Sequence, residues 1–221
     1  MSSHDSIRSA TSNASLLGIF ALATAITLGM TYVLTRENIA AAQREVEARA
    51  LAEVIESVPH DNSIIDDSFA VPEEDREILN VGDWLIHVAR ENDEPVAFIL
   101  PTVAPDGYSG SIYMLVGIQT NGEISGVRVT SHAETPGLGD GIDLKKSDWI
   151  TGFNGLSLQT LPEAAWAVRK DGGEFDAFTG ATITPRAVVT QVKRTLDYYA
   201  ANRERFIDIA ETQSLNTSEV E

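Results

Sequence analysis

The stretch SIYMLVGIQTNGEISGVRVT occupies residues 111–130, and it decides the fold that we expect for the chain. Apolar residues dominate 112–118 and 124–129, and Asn121-Gly122 lies between these two runs. Asn-Gly between apolar runs is a strong signal for a two-residue hairpin turn, because both residues tolerate positive φ. The sequence therefore predicts two antiparallel strands at the centre of a sheet.

Further strands are predicted on both sides of this hairpin. Residues 84–88 and 96–100 are rich in strand-forming residues and flank a turn at 92–95. Downstream, 149–153 indicates a short helix or turn that packs on the sheet, and 165–168 indicates another strand.

A helix is predicted near the C-terminus. Thr184-Pro185 is a typical helix start, since the hydroxyl can cap free amides and proline has no amide to leave unpaired. The following apolar residues recur at helical spacing and form one face: Val188, Val192, Leu196 and Tyr199. We expect this helix to end at about Arg205, a folded domain over 84–207, and a polar tail over 208–221.

The N-terminal part of the chain indicates a membrane anchor. No charged residue occurs from Ala14 to Leu34, which is long enough for a helix to cross a bilayer. We expect a disordered tail over 1–13 and a single transmembrane helix over 14–35. A cleaved secretory signal peptide is the alternative, but only Arg8 precedes the apolar run and no small-x-small cleavage site precedes Arg36.

Residues 36–83 link the anchor to the domain. The first part, up to about Ser57, has apolar and acidic residues at helical spacing, and Val58-Pro59 ends that pattern. The stretch 60–77 is acidic and contains Pro72, so we expect an irregular arm.

Composition excludes several functions. The 221 residues carry a net charge of −17, so no basic surface is available to neutralise nucleic-acid phosphates. The chain has no cysteine, which excludes iron–sulfur clusters, thiolate metal sites and disulfides. A redox role would need a cofactor that is not held by sulfur.

Two short motifs stand out against this background. Asp176-Ala177-Phe178-Thr179-Gly180-Ala181-Thr182 lies just before the C-terminal helix, where free amides and the helix dipole favour a phosphate. The alternative interpretation is an ordinary helix cap behind a small-residue turn. The second motif, 131–141, is a glycine-rich loop. Its glycine spacing does not fit a dinucleotide-binding loop, and His132-x-Glu134 lacks a third metal ligand at useful spacing.

The order of these motifs carries a resemblance. Gly107-Tyr108-Ser109-Gly110, the hairpin, His-x-Glu-Thr-Pro-Gly-Leu-Gly at 132–139 and Asp-x-x-Thr-Gly-Ala-Thr at 176–182 resemble the FMN-binding domain of RnfG, the flavoprotein of the Rnf electron transport complex. The resemblance covers about 84–205. NqrC, the corresponding protein of the sodium-translocating NADH:quinone oxidoreductase, shares the threonine motif and is the alternative within the same class.

The resemblance implies a fold and a cofactor. The fold is α+β, with an N-terminal transmembrane helix followed by a mainly antiparallel sheet and flanking helices. In these families the last threonine of the motif carries FMN through a phosphoester bond, which implies Thr182. The resemblance also implies that the following residues surround the cofactor: Asp176, Thr179, Gly180, Ala181, Ile183 and Thr184 from the threonine motif, and Glu134, Thr135 and Leu138 from the glycine-rich loop. Asp176 is equally well interpreted as a turn residue, and no metal ligand and no catalytic residue is assigned.

The resemblance further implies partners and a location. The chain would carry electrons within a membrane complex that links ferredoxin and NAD⁺ to ion movement, beside the other proteins of that complex. A separate flavin transferase would attach the FMN. The domain would lie in the periplasm, anchored to the bacterial inner membrane. Arg36, Arg44 and Arg49 follow the span and by the positive-inside rule favour a cytoplasmic domain instead. A membrane-tethered assembly module without a redox role is the alternative function, while no nucleophile–base pair supports a hydrolase.

Overall fold

The computed structural model describes residues 3–218, and it describes the side chains of 16–213 apart from 19, 37–41 and 43. The chain divides into two compact units, Met1–Val46 and Glu47–Glu221.

The first unit consists of helix α1, which begins at Ser3 and continues to Val54 in the second unit. The segment Leu16–Arg36 is long and apolar enough to cross a membrane, with a mean hydropathy of 1.9. The hydroxyls of Thr24, Thr27 and Thr31 each donate to the carbonyl four residues earlier, so they need no water. This segment agrees within two residues with the span predicted at 14–35. The prediction of a disordered tail is wrong for 3–13, because these residues belong to α1.

The second unit contains a five-stranded antiparallel sheet whose strands follow one another in chain order. The strands are β1 (Ser68–Ala70), β2 (Leu85–Glu91), β3 (Glu94–Gly107), β4 (Gly110–Gln119) and β5 (Ile124–Ser131). The amide of Gln119 donates to the carbonyl of Glu123, and Gly122 has a φ of +90°. The predicted hairpin is therefore confirmed as a strand pair, but its turn is longer than the two residues predicted, since β4 ends at Gln119 and β5 begins at Ile124. Of the two turn residues, Gly122 has a positive φ and Asn121 does not. The other two predicted strands are confirmed.

Strand β1 was not expected from the sequence. It lies in the stretch 60–77 that was predicted as an irregular arm, and the same stretch also begins the short helix α2 (Arg76–Leu79). The strand pairs with β2 through Ser68–His87 and Ala70–Leu85. Its central side chain, Phe69, is buried. Three residues are too few to show the alternation of apolar and polar residues that is typical of a strand. Pairing with β2 therefore determines that β1 forms.

The main core lies between one face of the sheet and helix α3 (Ile183–Ser218). The predicted apolar face of this helix is confirmed, since all four of its residues are buried. The predicted end at about Arg205 is wrong. No glycine or proline occurs between 186 and 218, and Phe206 and Ala210 continue the buried face. Phe206 packs 5.5 Å from Phe98 and 5.8 Å from Phe69, measured between ring centroids, which extends the core toward β1.

A smaller core covers the other face of the sheet. Its buried side chains come from the end of α1, the following turn and strands β2 and β3: Leu51, Val54, Ile55, Val58, Ile64, Ala89, Ala97 and Ile99. The predicted helical end near Val58-Pro59 is confirmed within a few residues, because α1 ends at Val54. The end of α1 is thus part of the folded domain.

Gly126 of β5 sets how closely α1 approaches the sheet. A Cβ atom at this position would lie 2.6 Å from the backbone oxygen of Val54. We expect Gly126→Ala to lower the free energy of unfolding by about 2–3 kcal/mol, because the helix end must move off the sheet. Gly152→Ala is the control, since a Cβ there meets nothing within 4 Å. Urea unfolding of the full chain in detergent compares the two, and equal midpoints would contradict the expectation.

The segment between β5 and α3 is built from short 3-10 turns. The prediction for 149–153 is confirmed, since Trp149–Phe153 forms such a turn. The strand predicted at 165–168 is wrong. Glu163–Ala165 is another 3-10 turn, and only a single bridge joins Val168 to Phe175. The indole of Trp166 is buried and donates to the nearby carbonyl of Leu161, so this apolar run folds on itself instead of extending.

Candidate functional site

The loop that follows β5 turns tightly at its glycine-rich part. The amides of Leu138 and Gly139 both donate to the carbonyl of Thr135, at 3.1 and 3.0 Å. The amide of Gly137 donates to the carboxylate of Asp140 at 2.7 Å. These bonds close the loop locally and leave the side chain of Leu138 48% exposed.

The threonine motif forms a β-turn. The amide of Ala181 donates to the carbonyl of Phe178 at 3.1 Å, and Gly180 has a φ of +83°, which a side chain would strain. Trp149 holds the start of the motif in place. Its ring packs 5.3 Å from that of Phe178, and its indole nitrogen donates to the carbonyl of Asp176.

Helix α3 begins directly after this turn, and its first residue is Ile183. The amide of Arg186 donates to the carbonyl of Thr182, so Thr182 occupies the capping position. The prediction that Thr184 caps the helix is wrong. Thr184 lies inside the first turn, is fully buried, and donates its hydroxyl to the carboxylate of Glu134.

The loop, the turn and the helix start enclose a cavity of about 350 Å³. All predicted cofactor-binding residues except Asp176 and Thr179 line it, and Tyr108 and Gly139 line it as well. The complete lining consists of Tyr108, Glu134, Thr135, Leu138, Gly139, Gly180, Ala181, Thr182, Ile183 and Thr184. Two motifs whose lining residues lie at least 41 positions apart in the sequence therefore meet at one site.

Asp176 and Thr179 belong to the motif but do not face this cavity. The carboxylate of Asp176 is 2.8 Å from the guanidinium of Arg169 at the surface, an arrangement that agrees with the alternative interpretation as a turn residue. Thr179 is exposed beside Gly180 in the β-turn. Their suggested roles around a cofactor stay predictions.

Tyr108 is the aromatic residue that sequence reasoning did not select. It lies in the connection between β3 and β4, and its side chain is 69% exposed at the cavity. The sequence feature that could have indicated it is the position of this aromatic residue in the short Gly-Tyr-Ser-Gly motif at 107–110. An aromatic side chain on a surface turn between two glycines has no packing role of its own, which is a reason to suspect a binding role.

A surface ion pair supports the helix start from outside. The guanidinium of Arg186 donates to both carboxylate oxygens of Asp171, at 2.7 and 2.9 Å. This hydrogen-bonded cation holds the pKa of Asp171 below its usual range. The pair joins the first turn of α3 to the turn at 169–171.

The cavity fits a ligand that combines a phosphate with an aromatic ring. Its exposed side chains are largely apolar, namely Tyr108, Leu138 and Ile183, which suits a flat ring system. The helix start offers the amides of Ile183 and Thr184, which precede the first bonded amide of α3, while Pro185 has none. FMN is a ligand of this kind.

Comparisons with known proteins define the class. The model of the FMN-binding domain matches residues 107–197, which include the whole cavity lining. The model of the RnfG N-terminal region matches residues 1–54. The chain therefore combines an FMN-binding domain with the N-terminal region of one particular group of proteins.

Full-length relatives identify that group. The G subunit of the ion-translocating oxidoreductase complex of Shewanella loihica is 46% identical, and the alignment covers 91% of this chain and 94% of the relative. The G subunits of Pseudomonas aeruginosa and Vibrio cholerae are 47% and 41% identical, over 90% and 87% of this chain and 93% and 91% of their own lengths. The chain belongs to this family, the G subunits of ion-translocating oxidoreductase complexes. The resemblance inferred from the order of the motifs is confirmed.

Among solved structures, the crystal structure of Shewanella oneidensis NqrC aligns with 66% of this chain and 70% of its own. The two are 21% identical, with a TM-score of 0.43.

Proposed function

We propose that the chain is a membrane-anchored electron carrier of an ion-translocating oxidoreductase complex, with FMN bound to Thr182 through a phosphoester. One observation carries the proposal. Thr182 lines the cavity at the start of α3, and its hydroxyl forms no hydrogen bond with any part of the chain that the structure describes. It is free to react and is placed where a phosphate is favoured.

The neighbouring threonines are poorer attachment sites. Thr184 is fully buried, and its hydroxyl is committed to Glu134. Thr179 is exposed and does not line the cavity, so a ligand attached there would begin outside it. Of the three threonines in residues 179–184, Thr182 alone combines access with a position at the cavity.

The helix start would hold the phosphate of the cofactor. The amides of Ile183 and Thr184 have no partner inside α3, and the positive end of the helix dipole favours an anion by about 0.3–1 kcal/mol. The apolar side chains of Leu138, Ile183 and Tyr108 would cover the ring system and exclude water from it. Bound FMN supplies the electron-carrying chemistry that the side chains of this chain lack.

Attachment would need a partner enzyme. Among the described residues that line the cavity, no histidine or lysine is placed to remove a proton from Thr182. His132 accepts a hydrogen bond from the amide of Glu134 through Nδ1, so that nitrogen is already engaged. We infer that a flavin transferase binds FAD and forms the bond between Thr182 Oγ and the FMN phosphorus. The phosphoanhydride bond of FAD breaks, AMP leaves, and a base of the transferase takes the hydroxyl proton.

Family membership and the apolar helix both support a membrane location for the chain. We propose that Leu16–Arg36 crosses the inner membrane once and that the FMN-binding domain lies in the periplasm. Arg36 at the end of the span and Arg44 and Arg49 after it oppose this orientation by the positive-inside rule, yet so few charges beside a short tail decide topology weakly. The remaining proteins of the complex would deliver and accept the electrons.

One preparation tests the cofactor and the topology together. The full chain is made in cells with a flavin transferase, and spheroplasts are treated with protease before denaturing electrophoresis. We expect flavin fluorescence in the band of the intact chain, carried by a peptide that contains Thr182. We also expect protease to remove that band from spheroplasts.

The contrary outcomes are distinct from one another. A band without fluorescence, while the transferase labels another substrate, would overturn the electron-carrier role and favour a tethered assembly module. A fluorescent band that protease reaches only after the membrane is lysed would leave the cofactor in place and reverse the topology. Omitting the transferase is the control, and it should give an unlabelled chain.

A further inference from the structure

Glu134 is a buried carboxylate at the cavity. Glu134 is 4% exposed, and both oxygens of its carboxylate accept hydrogen bonds. The amide of Ser109 donates to Oε1 at 2.9 Å, and the hydroxyl of Thr184 donates to Oε2. None of the ion pairs within 4 Å among the described residues includes Glu134.

These two bonds join three separate parts of the chain. Ser109 lies in the connection between β3 and β4, Glu134 in the loop after β5, and Thr184 in the first turn of α3. Each part also contributes a wall of the cavity, through Tyr108, Leu138 and Thr182 respectively. One side chain therefore fixes the walls relative to each other.

The surrounding chain leaves room for this carboxylate. A Cβ atom on Gly107 would lie 2.9 Å from Oε1 of Glu134, and one on Gly139 would lie 2.9 Å from Oε2. Glycine at these two positions lets the backbone approach the carboxylate from both sides. A larger residue at Gly107 or Gly139 would therefore contact the carboxylate of Glu134.

Among the described residues, polar groups and not a paired cation stabilise the charge of Glu134. The amide of Ser109 and the positive end of α3 both favour a negative charge at this point. No lysine, arginine or histidine of the cavity lining neutralises it, and burial limits screening by water and salt. A ligand in the cavity therefore experiences a fixed negative charge from the protein.

We propose that Glu134 is a positioning residue with a second effect: its carboxylate holds the three cavity walls together, and its charge lowers the reduction potential of the FMN bound there. This inference rests on the proposed function. Adding an electron to a ring near a fixed negative charge is electrostatically opposed, so removing the charge should make reduction easier.

Glu134→Gln separates charge from shape. The side-chain oxygen of glutamine can still accept from the amide of Ser109, and its amino group can donate to the hydroxyl of Thr184. The full chain is loaded by flavin transferase. In this variant we expect the equilibrium constant for one-electron reduction of the flavin to rise about tenfold, so that the midpoint potential becomes about 59 mV more positive. Spectroelectrochemical titration measures the midpoint potentials of the variant and the wild type side by side.

Glu94→Gln is the matched control for charge. Glu94 is an exposed acid at the first residue of β3, while the cavity lies beyond the last residue of that strand. The 14 residues of β3 separate the two ends by about 45 Å, so the potential should not change. A Glu134→Gln protein with the wild-type potential would overturn the effect of the charge.

The positioning role is tested without the cofactor. Glu134→Ala removes both bonds, and we expect hydrogen–deuterium exchange of the unloaded chain to rise at 107–110 and 182–186, with a smaller rise in Glu134→Gln. Unchanged exchange in Glu134→Ala would overturn this role. A Glu134→Gln chain with wild-type exchange that takes up no flavin would also overturn the effect on potential, because the charge would then be needed for loading. A wild-type chain that takes up no flavin would instead refute the proposed function, and the exchange result would still stand.

Discussion

Thr182→Val is expected to reduce covalently bound flavin to background in protein made with an active flavin transferase. Valine has nearly the shape of threonine but no hydroxyl, so the phosphoester cannot form. The turn before α3 should persist, because it depends on Gly180 and on the backbone bond between Ala181 and Phe178. Flavin absorbance of acid-precipitated protein and fluorescence of the denatured band measure the loss.

The neighbouring threonines provide matched controls for this substitution. Thr179→Val should keep wild-type flavin, because Thr179 lies outside the cavity. Thr184→Val should also keep the phosphoester between FMN and Thr182. It leaves one carboxylate oxygen of the buried Glu134 without its donor, which should lower the free energy of unfolding by about 1–3 kcal/mol. Flavin that survives in Thr182→Val, or that disappears in Thr179→Val, would move the attachment site away from Thr182.

Arg90→Met is expected to lower the free energy of unfolding by about 3–5 kcal/mol, the largest change in stability that we predict. The guanidinium of Arg90 is buried and lies 2.7 Å from the carboxylate of Asp67. It also donates to the carbonyl of Ala210 at 2.8 Å. Methionine keeps the length of the side chain but leaves the partly buried carboxylate of Asp67 with the Asn62 amide and no cation, and it removes a charged donor from the buried carbonyl of Ala210. Denaturant unfolding of the full chain in detergent measures the difference.

Arg169→Met is the matched control for the loss of an arginine. Its ion pair with Asp176 is exposed on both sides, and such pairs contribute at most about 1 kcal/mol. The two substitutions remove the same charge, so a difference between them reports the buried contacts that Arg90 makes and Arg169 does not. Equal unfolding midpoints would show that Arg90 does not hold the arm before β2 and the distal part of α3 to the sheet.

Local patterns in the sequence were sufficient for a large part of this protein. Asn121-Gly122 between two apolar runs specifies a hairpin through its own backbone preferences. The four-residue spacing of Val188, Val192 and Leu196 specifies one buried helical face. An uncharged run as long as a bilayer is thick indicates a spanning helix. Each of these patterns depends only on residues that are close together in the sequence. The order of the short motifs was distinctive enough to indicate the family.

Other features depended on residues that are distant in the sequence, and only the tertiary structure decided them. Strand β1 exists because β2 pairs with it, and α3 extends past Arg205 because Phe206 and Ala210 meet the sheet and its β1 edge. Thr184 fails as a cap because Glu134, fifty residues earlier, accepts its hydroxyl. The sequence alone determined that a threonine motif precedes a helix. Which threonine remains free at a cavity is a matter of three-dimensional contacts, because burial and hydrogen-bond partners are set by packing between segments.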